Sequence, residues 1–320
     1  MKCSKALLAI FLLAAPAHAD MMDTGVGGPI VAGGGGFTGP GDIVSGALGF
    51  WSLRAYNSTY ASGHGKLANI CTPADAVCAD VNSDSSGNFN LAGTPSLTCN
   101  NGGSICTVKI LYDQSGALQC GGSACDLSQA TIANRPTLIT TGSASCTTTS
   151  NFCAQWGATT VMNSPGTFPA TSQPFTIAHV YNNPARANDA GLFSTSFNNA
   201  TVLSGFGGAN KISNYVGSSV PTATASDGAY HSTQSVFNDT GAGTASTIVV
   251  DSTATAGSLG ATTGFNANST LIVGQFSGSD QFQGFINQIG LWGAAFTGTQ
   301  STNLCHNDRL YWNSSGFGSC

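Results

Sequence analysis

Every acidic residue in this chain is Asp: all fourteen side-chain carboxyls are the short kind, and Glu is absent. Lys and Arg number only nine, so charged residues make up 7% of the sequence, where about 25% is usual. Glu, Lys and Arg are the residues that favour and cover exposed helices. A chain without them has little from which to build helical surfaces. Its 42 Gly, together with Ser, Thr and Asn, supply turns and loops instead. The composition predicts an all-β protein with long loops.

Period-two and β-branched runs mark the strands. They fall at 49–56, 106–112, 175–181, 191–197, 235–238, 246–250, 270–275 and 284–292, separated by clusters of Gly, Asn, Ser and Pro. Only 297–303 reads as a helix. No linker or repeat interrupts 48–320, so these residues are expected to form one domain of roughly 270 residues, a size all-β sandwiches reach. Residues 20–47 contain VGGPIVAGGGGFTGPGD and read as a flexible lead-in. Residues 1–19 have the layout of a secretory signal peptide: Lys2 and Lys5, the apolar run Ala6–Ala15, then Ala17-His18-Ala19 at the cleavage point. The apolar run is too short for an anchor. A secreted protein, extracellular or periplasmic, beginning near Asp20 is expected.

Of the eleven Cys, Cys3 lies in the leader and ten remain. An even count in an exported protein points to disulfides, although sequence alone does not fix their connectivity. The Cys come as close neighbours: Cys71 and Cys78, Cys99 and Cys106, Cys120 and Cys125, Cys146 and Cys153, Cys305 and Cys320. Bridges over such short loops are expected to pin loops more than to hold a core. Zinc finds no Cys-x-x-Cys pair and only five His. A net charge of −5 leaves no basic footprint for nucleic acid or anionic lipid. There is no Gly-x-Ser-x-Gly elbow, and Gly33–Gly36 does not join a strand to a helix as a phosphate loop would. A monomer without metal or cofactor, and with no nucleic-acid or membrane partner, is expected.

Some stretches gather polar groups. The run TVKILYDQSG ends a strand in Tyr112, Asp113, Gln114 and Ser115 before Gly116. Such a tetrapeptide can bond the hydroxyls of a sugar or tie its own loop, and Ser-Gly after Asp favours the tie. Asp80–Gly87 spaces oxygens like the opening of a calcium loop but lacks the Gly and Glu that an EF-hand needs, and reads as an Asx-rich loop. Trp156, beside Cys153, could offer a flat face to a sugar or simply pack. His64, His179 and His231 are scattered, and His179, within FTIAHVYNN, reads as a sheet residue.

The order FTIAHVYNN, GLFSTSFNN, HSTQSVFNDTGAGTASTIVVDST and TLIVGQFSGSDQFQGFINQIGLWGAAFTGTQ resembles the two-sheet jelly roll of concanavalin-like and laminin-G-like domains. Upstream, GFWSLRAYNSTYASGHGKLANI, YDQSG, QAT and RP resemble the catalytic domain of α-L-arabinofuranosidase B. Together the resemblance runs from about Asp42 to Trp312. It implies a retaining glycoside hydrolase that releases terminal arabinofuranosyl groups from plant polysaccharide side chains. Such enzymes need two carboxyls about 5–5.5 Å apart, one protonated and one ionised. The family's nucleophile is a Glu shortly before Gly-Leu-Phe; here Asp189 holds that place, one methylene shorter, ahead of Gly191-Leu192-Phe193. The family's acid/base is an Asp in a Gly-rich loop; Asp280 is the nearest match after Leu271–Gly274, displaced by about two residues from the family spacing. Tyr112, Asp113 and Trp156, from their residue chemistry, are the candidate sugar contacts. Without Glu, a non-catalytic carbohydrate-binding or cell-surface module on the same scaffold is the alternative. In that case Asp189 caps a loop and Asp280 makes a turn with Gly278.

Overall fold

Phe175–Asn182 and Gly284–Trp292 are rich in β-branched and aromatic residues, and they pair antiparallel at the centre of the protein, with His179 opposite Ile289 and Ile177 opposite Leu291. The computed structural model describes residues 36–99, 104–139, 151–168, 171, 173–182, 190–195, 201–204, 210–215, 222–225, 228–239, 246–257, 270–276, 280–312 and 320. On one side of the central pair follow Tyr230–Phe237, Ser246–Val250 and Thr253–Gly257. On the other side Ala47–Ser52 closes the edge.

A second layer runs from Cys78–Asn82 through Lys66–Cys71, Thr107–Leu111, Leu127–Ser128, Met162–Asn163 and Ile272–Val273. It continues into Ala190–Ser194, Thr201–Ser204, Lys211–Tyr215 and Thr222–Thr224. Cys153–Trp156 pairs with both Gly284–Trp292 and Thr137–Ile139, so the hydrogen-bond ladder passes from one layer to the other. Aromatic contacts bridge the layers, His179 to Phe193 at 6.3 Å and Tyr181 to Phe282 at 6.2 Å. The result is an all-β, two-sheet jelly-roll type of sandwich: the composition predicts the all-β class, and the resemblance implies the jelly roll.

Several elements differ from the sequence reading. Tyr230–Phe237 is a full eight-residue strand, not the short 235–238 piece, because its polar residues are buried on both faces. Lys66–Cys71, Cys78–Asn82, Thr201–Ser204, Lys211–Tyr215 and Thr253–Gly257 are strands without an apolar run of their own. The helix extends over Gly298–Trp312. Its inner side carries Leu304, Cys305, Asp308 and Trp312, all buried.

Residues 36–47, within the Gly-rich stretch, pack closely. A Cβ on Gly39 would lie 2.4 Å from the Tyr56 carbonyl oxygen, and one on Gly41 2.4 Å from the Tyr56 ring. These glycines permit close approach, and Trp292 Nε1 donates to the Val44 carbonyl at 2.9 Å over the same segment.

Disulfides join Cys71 to Cys78, Cys99 to Cys106, Cys120 to Cys125 and Cys305 to Cys320. Cys153 is also disulfide-bonded, and Cys146 lies outside the described residues. Each of these four bonds has a fully or nearly fully buried member (Cys71, Cys106, Cys125 or Cys305), so it fastens a loop directly to the core.

The outer face of the central sheet holds the helix through a buried polar network. Arg54 Nε donates to Gln288 Oε1 at 2.7 Å, and its Nη2 pairs with Asp308. Asp308 also accepts from Ser232 Oγ at 2.6 Å and Gln288 Nε2 at 3.1 Å, and the guanidinium stacks 4.9 Å above the Tyr311 ring. Among the described residues, no helix is long and apolar enough to cross a membrane.

Candidate active site

The segment that follows position 189 and the segment that contains Asp280 meet within the second layer and form one edge of the candidate site. Ala190–Ser194 and Asp280–Gln281 pair in parallel, with Gly191 opposite Gln281. One residue upstream on each strand stand Ala190 and Asp280. Asp189 itself lies outside the described residues. Asp280 is half-buried and pairs in register with Phe276.

Glycines make this approach possible. A Cβ on Gly191 would sit 2.3 Å from the Gln275 carbonyl carbon and 2.4 Å from its oxygen. Gly274, at φ +84°, ties both segments: its N–H donates to the Leu192 carbonyl at 3.3 Å and its carbonyl accepts from Phe282 N–H at 2.9 Å.

Trp156 stands directly behind. A Cβ on Gly274 would fall 2.4 Å from its ring. The ring is buried, and its Nε1 donates to the Ile286 carbonyl at 3.4 Å. Trp156 therefore buttresses the acid-bearing edge from within the core. It also lines an interior cavity of about 10 Å³ with Trp51, Leu111 and Asn287, room for about one water and far short of a furanose ring.

A His–Asp pair that the sequence reading did not single out lies behind the same edge. Phe282, two residues beyond Asp280, meets Tyr181, whose ring lies 5.9 Å from His231. His231 Nδ1 bonds Asp251 Oδ2 at 2.7 Å, while Asp251 Oδ1 accepts from Ser232 N–H at 3.0 Å. Because a carboxylate only accepts, Nδ1 carries the proton and the ring is held in one tautomer. Asp251 and Ser252 form a two-residue hairpin turn at φ 46° and 67°, a conformation that Asn-Gly adopts more cheaply. The signal in the sequence was a tight turn written Asp-Ser, in which the Asp is retained for its carboxylate.

Tyr112 and Asp113 lie elsewhere, four strand steps from Ala190–Ser194 through Leu127–Ser128, Met162–Asn163 and Ile272–Val273. Tyr112 Oη donates to Asp80 Oδ1 at 2.6 Å, and Lys66 Nζ approaches Asp80 Oδ2 to 2.7 Å. Burial, then the Asp80 carboxylate, holds the Tyr112 proton on. Asp113 Oδ1 accepts from Phe50 N–H at 3.1 Å and Ser115 N–H at 3.0 Å, and its Oδ2 from Cys125 N–H at 3.3 Å. Burial pushes the Asp113 carboxyl up, against the pull of those N–H groups. Gln114 Nε2 completes the tie by donating to the Ser52 carbonyl at 2.9 Å. The tetrapeptide fastens its loop to the Ala47–Ser52 strand.

The Asx-rich loop is held in the same way. Asp84 Oδ1 accepts from Ser86 N–H at 2.9 Å and Asn88 N–H at 2.8 Å. Cys71, Asp75 and Cys78 place possible ligand atoms together, but a disulfide between the two Cys leaves no thiolate to bind a metal.

No protein-family model matches the chain, and no curated protein sequence does. Its fold is similar to that of solved arabinofuranosidases. One, complexed with arabinofuranosyl-α-1,2-xylobiose, superposes with a TM-score of 0.60 at 15% identity over 84% of this chain and 64% of that one. A GH54 α-L-arabinofuranosidase soaked with a cyclic sulfate inhibitor gives 0.61 at 14% identity, over 88% of this chain and 66% of that one. A mutant of a GH54 enzyme soaked with 4-nitrophenyl α-L-arabinofuranoside gives 0.60 at 15% identity. The chain thus spans just under two thirds of the length of these enzymes. At such identities the likeness is one of fold.

Proposed function

We propose that this chain is a glycoside hydrolase-like domain that releases terminal α-L-arabinofuranosyl groups from plant-type polysaccharide side chains. The observation that supports it best is the parallel pairing of Gly191 with Gln281, which sets the segments following Asp189 and containing Asp280 side by side. The similar fold of the arabinofuranosidases adds to it. In this reading the Asp189 carboxylate attacks the anomeric carbon while Asp280 gives its proton to the departing glycosidic oxygen. Asp280 then takes a proton from water, whose oxygen replaces Asp189 at that carbon and restores both groups. Trp156 and Gly274 hold the edge rigid. The protein acts as a monomer, exported through the leader at 1–19, into a compartment that permits its disulfides.

The test is turnover of an aryl α-L-arabinofuranoside by the wild type, Asp189→Asn and Asp280→Asn, with circular dichroism confirming the fold of each. Loss of about 10²–10⁴-fold in each variant is expected. A wild-type rate no higher than that of Asp189→Asn overturns the hydrolase reading.

A second reading, a non-catalytic glycan-binding module, is favoured by the shorter acid at position 189, because a shortfall of about 1 Å can cost roughly 10²-fold in rate. It predicts saturable binding of arabinose-containing glycans without turnover, and isothermal calorimetry with an arabino-oligosaccharide measures that directly.

A further inference from the structure

The inner face of the central sheet is polar where a sandwich core is ordinarily apolar. Alternation along Tyr230–Phe237 sends His231, Thr233, Ser235 and Phe237 to one face, and the register sets Thr233 beside His179 and Ser235 beside Ile177. At the Phe end the face is a plain core, with Phe175 and Phe237 stacked 4.6 Å apart. Further along, His179, Thr233 and Ser235 are 1%, 0% and 0% exposed. Among the described residues, neither ring nitrogen of His179, nor Thr233 Oγ1, nor Ser235 Oγ has a hydrogen-bonding partner. Buried polar atoms are paired in about nine cases in ten. Four unpaired atoms on adjacent side chains therefore ask for an occupant that bonds them.

The chemistry of the group narrows that occupant. The walls are apolar: Ile289 opposite His179, Val250 opposite Thr233, Ile248 opposite Ser235, and the Phe193 ring meeting the imidazole edge to face. The same face also carries Tyr181, in register with His231, and His231 and Asp251 are bonded to one another at 2.7 Å. Burial lowers the His179 pKa to about 3, so the ring is neutral at physiological pH. A neutral imidazole offers one donor and one acceptor, and each hydroxyl offers both. Among the described residues, no unpaired charged group is recorded beside these side chains to balance an ion. A hydroxyl group, which donates and accepts at once, fits.

We propose that His179, Thr233 and Ser235 form an internal hydroxyl-binding site, occupied by ordered water or by a hydroxyl of a bound sugar. The water arm stands independently of the arabinofuranosidase reading, and only the sugar arm rests on it. Because neither arm is read by turnover, failure of the hydrolase assay and failure of this site are separable.

The intact protein, labelled with ¹⁵N-histidine, reports on the site by NMR, with His179 assigned from the spectrum of His179→Gln. Cross-peaks between the His179 ring and water are expected. Adding arabinose distinguishes the sources: a shift of the His179 ring nitrogens supports a sugar hydroxyl, and an unmoved ring that still contacts water supports water. Thr233→Val, which keeps the shape and removes one hydroxyl, is expected to lower the Tm by about 2–4 °C, the effect of losing roughly one hydrogen bond. A Thr233→Val protein with a raised Tm, or a His179 ring that contacts neither water nor sugar, overturns the proposal.

Discussion

Replacing Gly191 by Ala tests whether the close approach of two strands builds the acid-bearing edge. An added Cβ would lie 2.3 Å from the Gln275 carbonyl carbon, 2.4 Å from its oxygen and 2.5 Å from Phe276 N. All three are backbone atoms, so no rotamer change relieves the contact. Ordinary contact begins at 3.4 Å, and the Gln275–Phe276 backbone must therefore retreat by roughly 1 Å. Overpacking of this kind costs about 1–3 kcal/mol, or roughly 2–12 °C in Tm for a domain of this class. Asp280 pairs with Phe276 and moves with it. A shift of about 1 Å at a reacting carboxyl costs roughly 10²-fold in rate. Gly298→Ala, where a Cβ meets nothing within 4 Å, serves as the control and should leave both quantities unchanged. The measurements are Tm by calorimetry and kcat/KM on an aryl arabinofuranoside, or the Kd for an arabino-oligosaccharide if turnover is absent. A Gly191→Ala protein that matches the control in both would refute the idea that this contact positions the edge.

Two further outcomes follow from buried charge. Asp308→Ala strands the fully buried Arg54 without its carboxylate and should cost about 3–5 kcal/mol; a loss below about 1 kcal/mol in urea unfolding would mean that water reaches the guanidinium. His179, at about 3 in the folded protein against about 6.5 when unfolded, binds its proton only in the unfolded chain between those values. Stability is complete above about pH 6.5 and falls by about 1.4 kcal/mol per pH unit below it, reaching roughly 2–3 kcal/mol at pH 4.5. Urea titrations at pH 7 and 4.5 should show this difference, and His179→Phe should lack it.

The sandwich was legible because apolar periodicity fixes which runs are buried, and Phe175–Asn182, Ser246–Val250 and Gly284–Trp292 carry that signal strongly. Tyr230–Phe237 was half legible. Its Ser232 and Gln234 are buried through the Arg54–Asp308 network rather than by hydrophobicity, and a polar run committed to a network looks like a loop in sequence. The packing of 36–47, the described end of the Gly-rich opening, was not legible for the reciprocal reason: Gly39 and Gly41 are needed for contact with Tyr56, and sequence does not separate a glycine that bends from one that yields space. At the candidate site, the pairing of Gly191 with Gln281 joins segments far apart in the chain and carried no strand signal of its own, and His231–Asp251 depended on the antiparallel pairing of Tyr230–Phe237 with Ser246–Val250, which brings together residues twenty apart.

The absence of Glu has a structural explanation that leaves the chemistry open. Asp42, Asp84, Asp113, Asp126 and Asp251 each accept from a backbone N–H, a reach that suits the short side chain better than the longer one. A protein of long loops selects Asp for this work, so an all-Asp inventory does not by itself mean that a catalytic Glu was lost. What matters at position 189 is reach. If the tight packing at Gly191 draws the strands together by about the length of the missing methylene, Asp189 is matched to its surroundings. Asp189→Glu should then overshoot and lower kcat/KM by roughly 10-fold or more, in keeping with the steep distance dependence of such attack. A gain in activity on lengthening the acid would show that the edge is built for the longer side chain. The matched-pair argument would then fail, and the wild-type sequence would read as a scaffold that retains the fold and binds without cleaving.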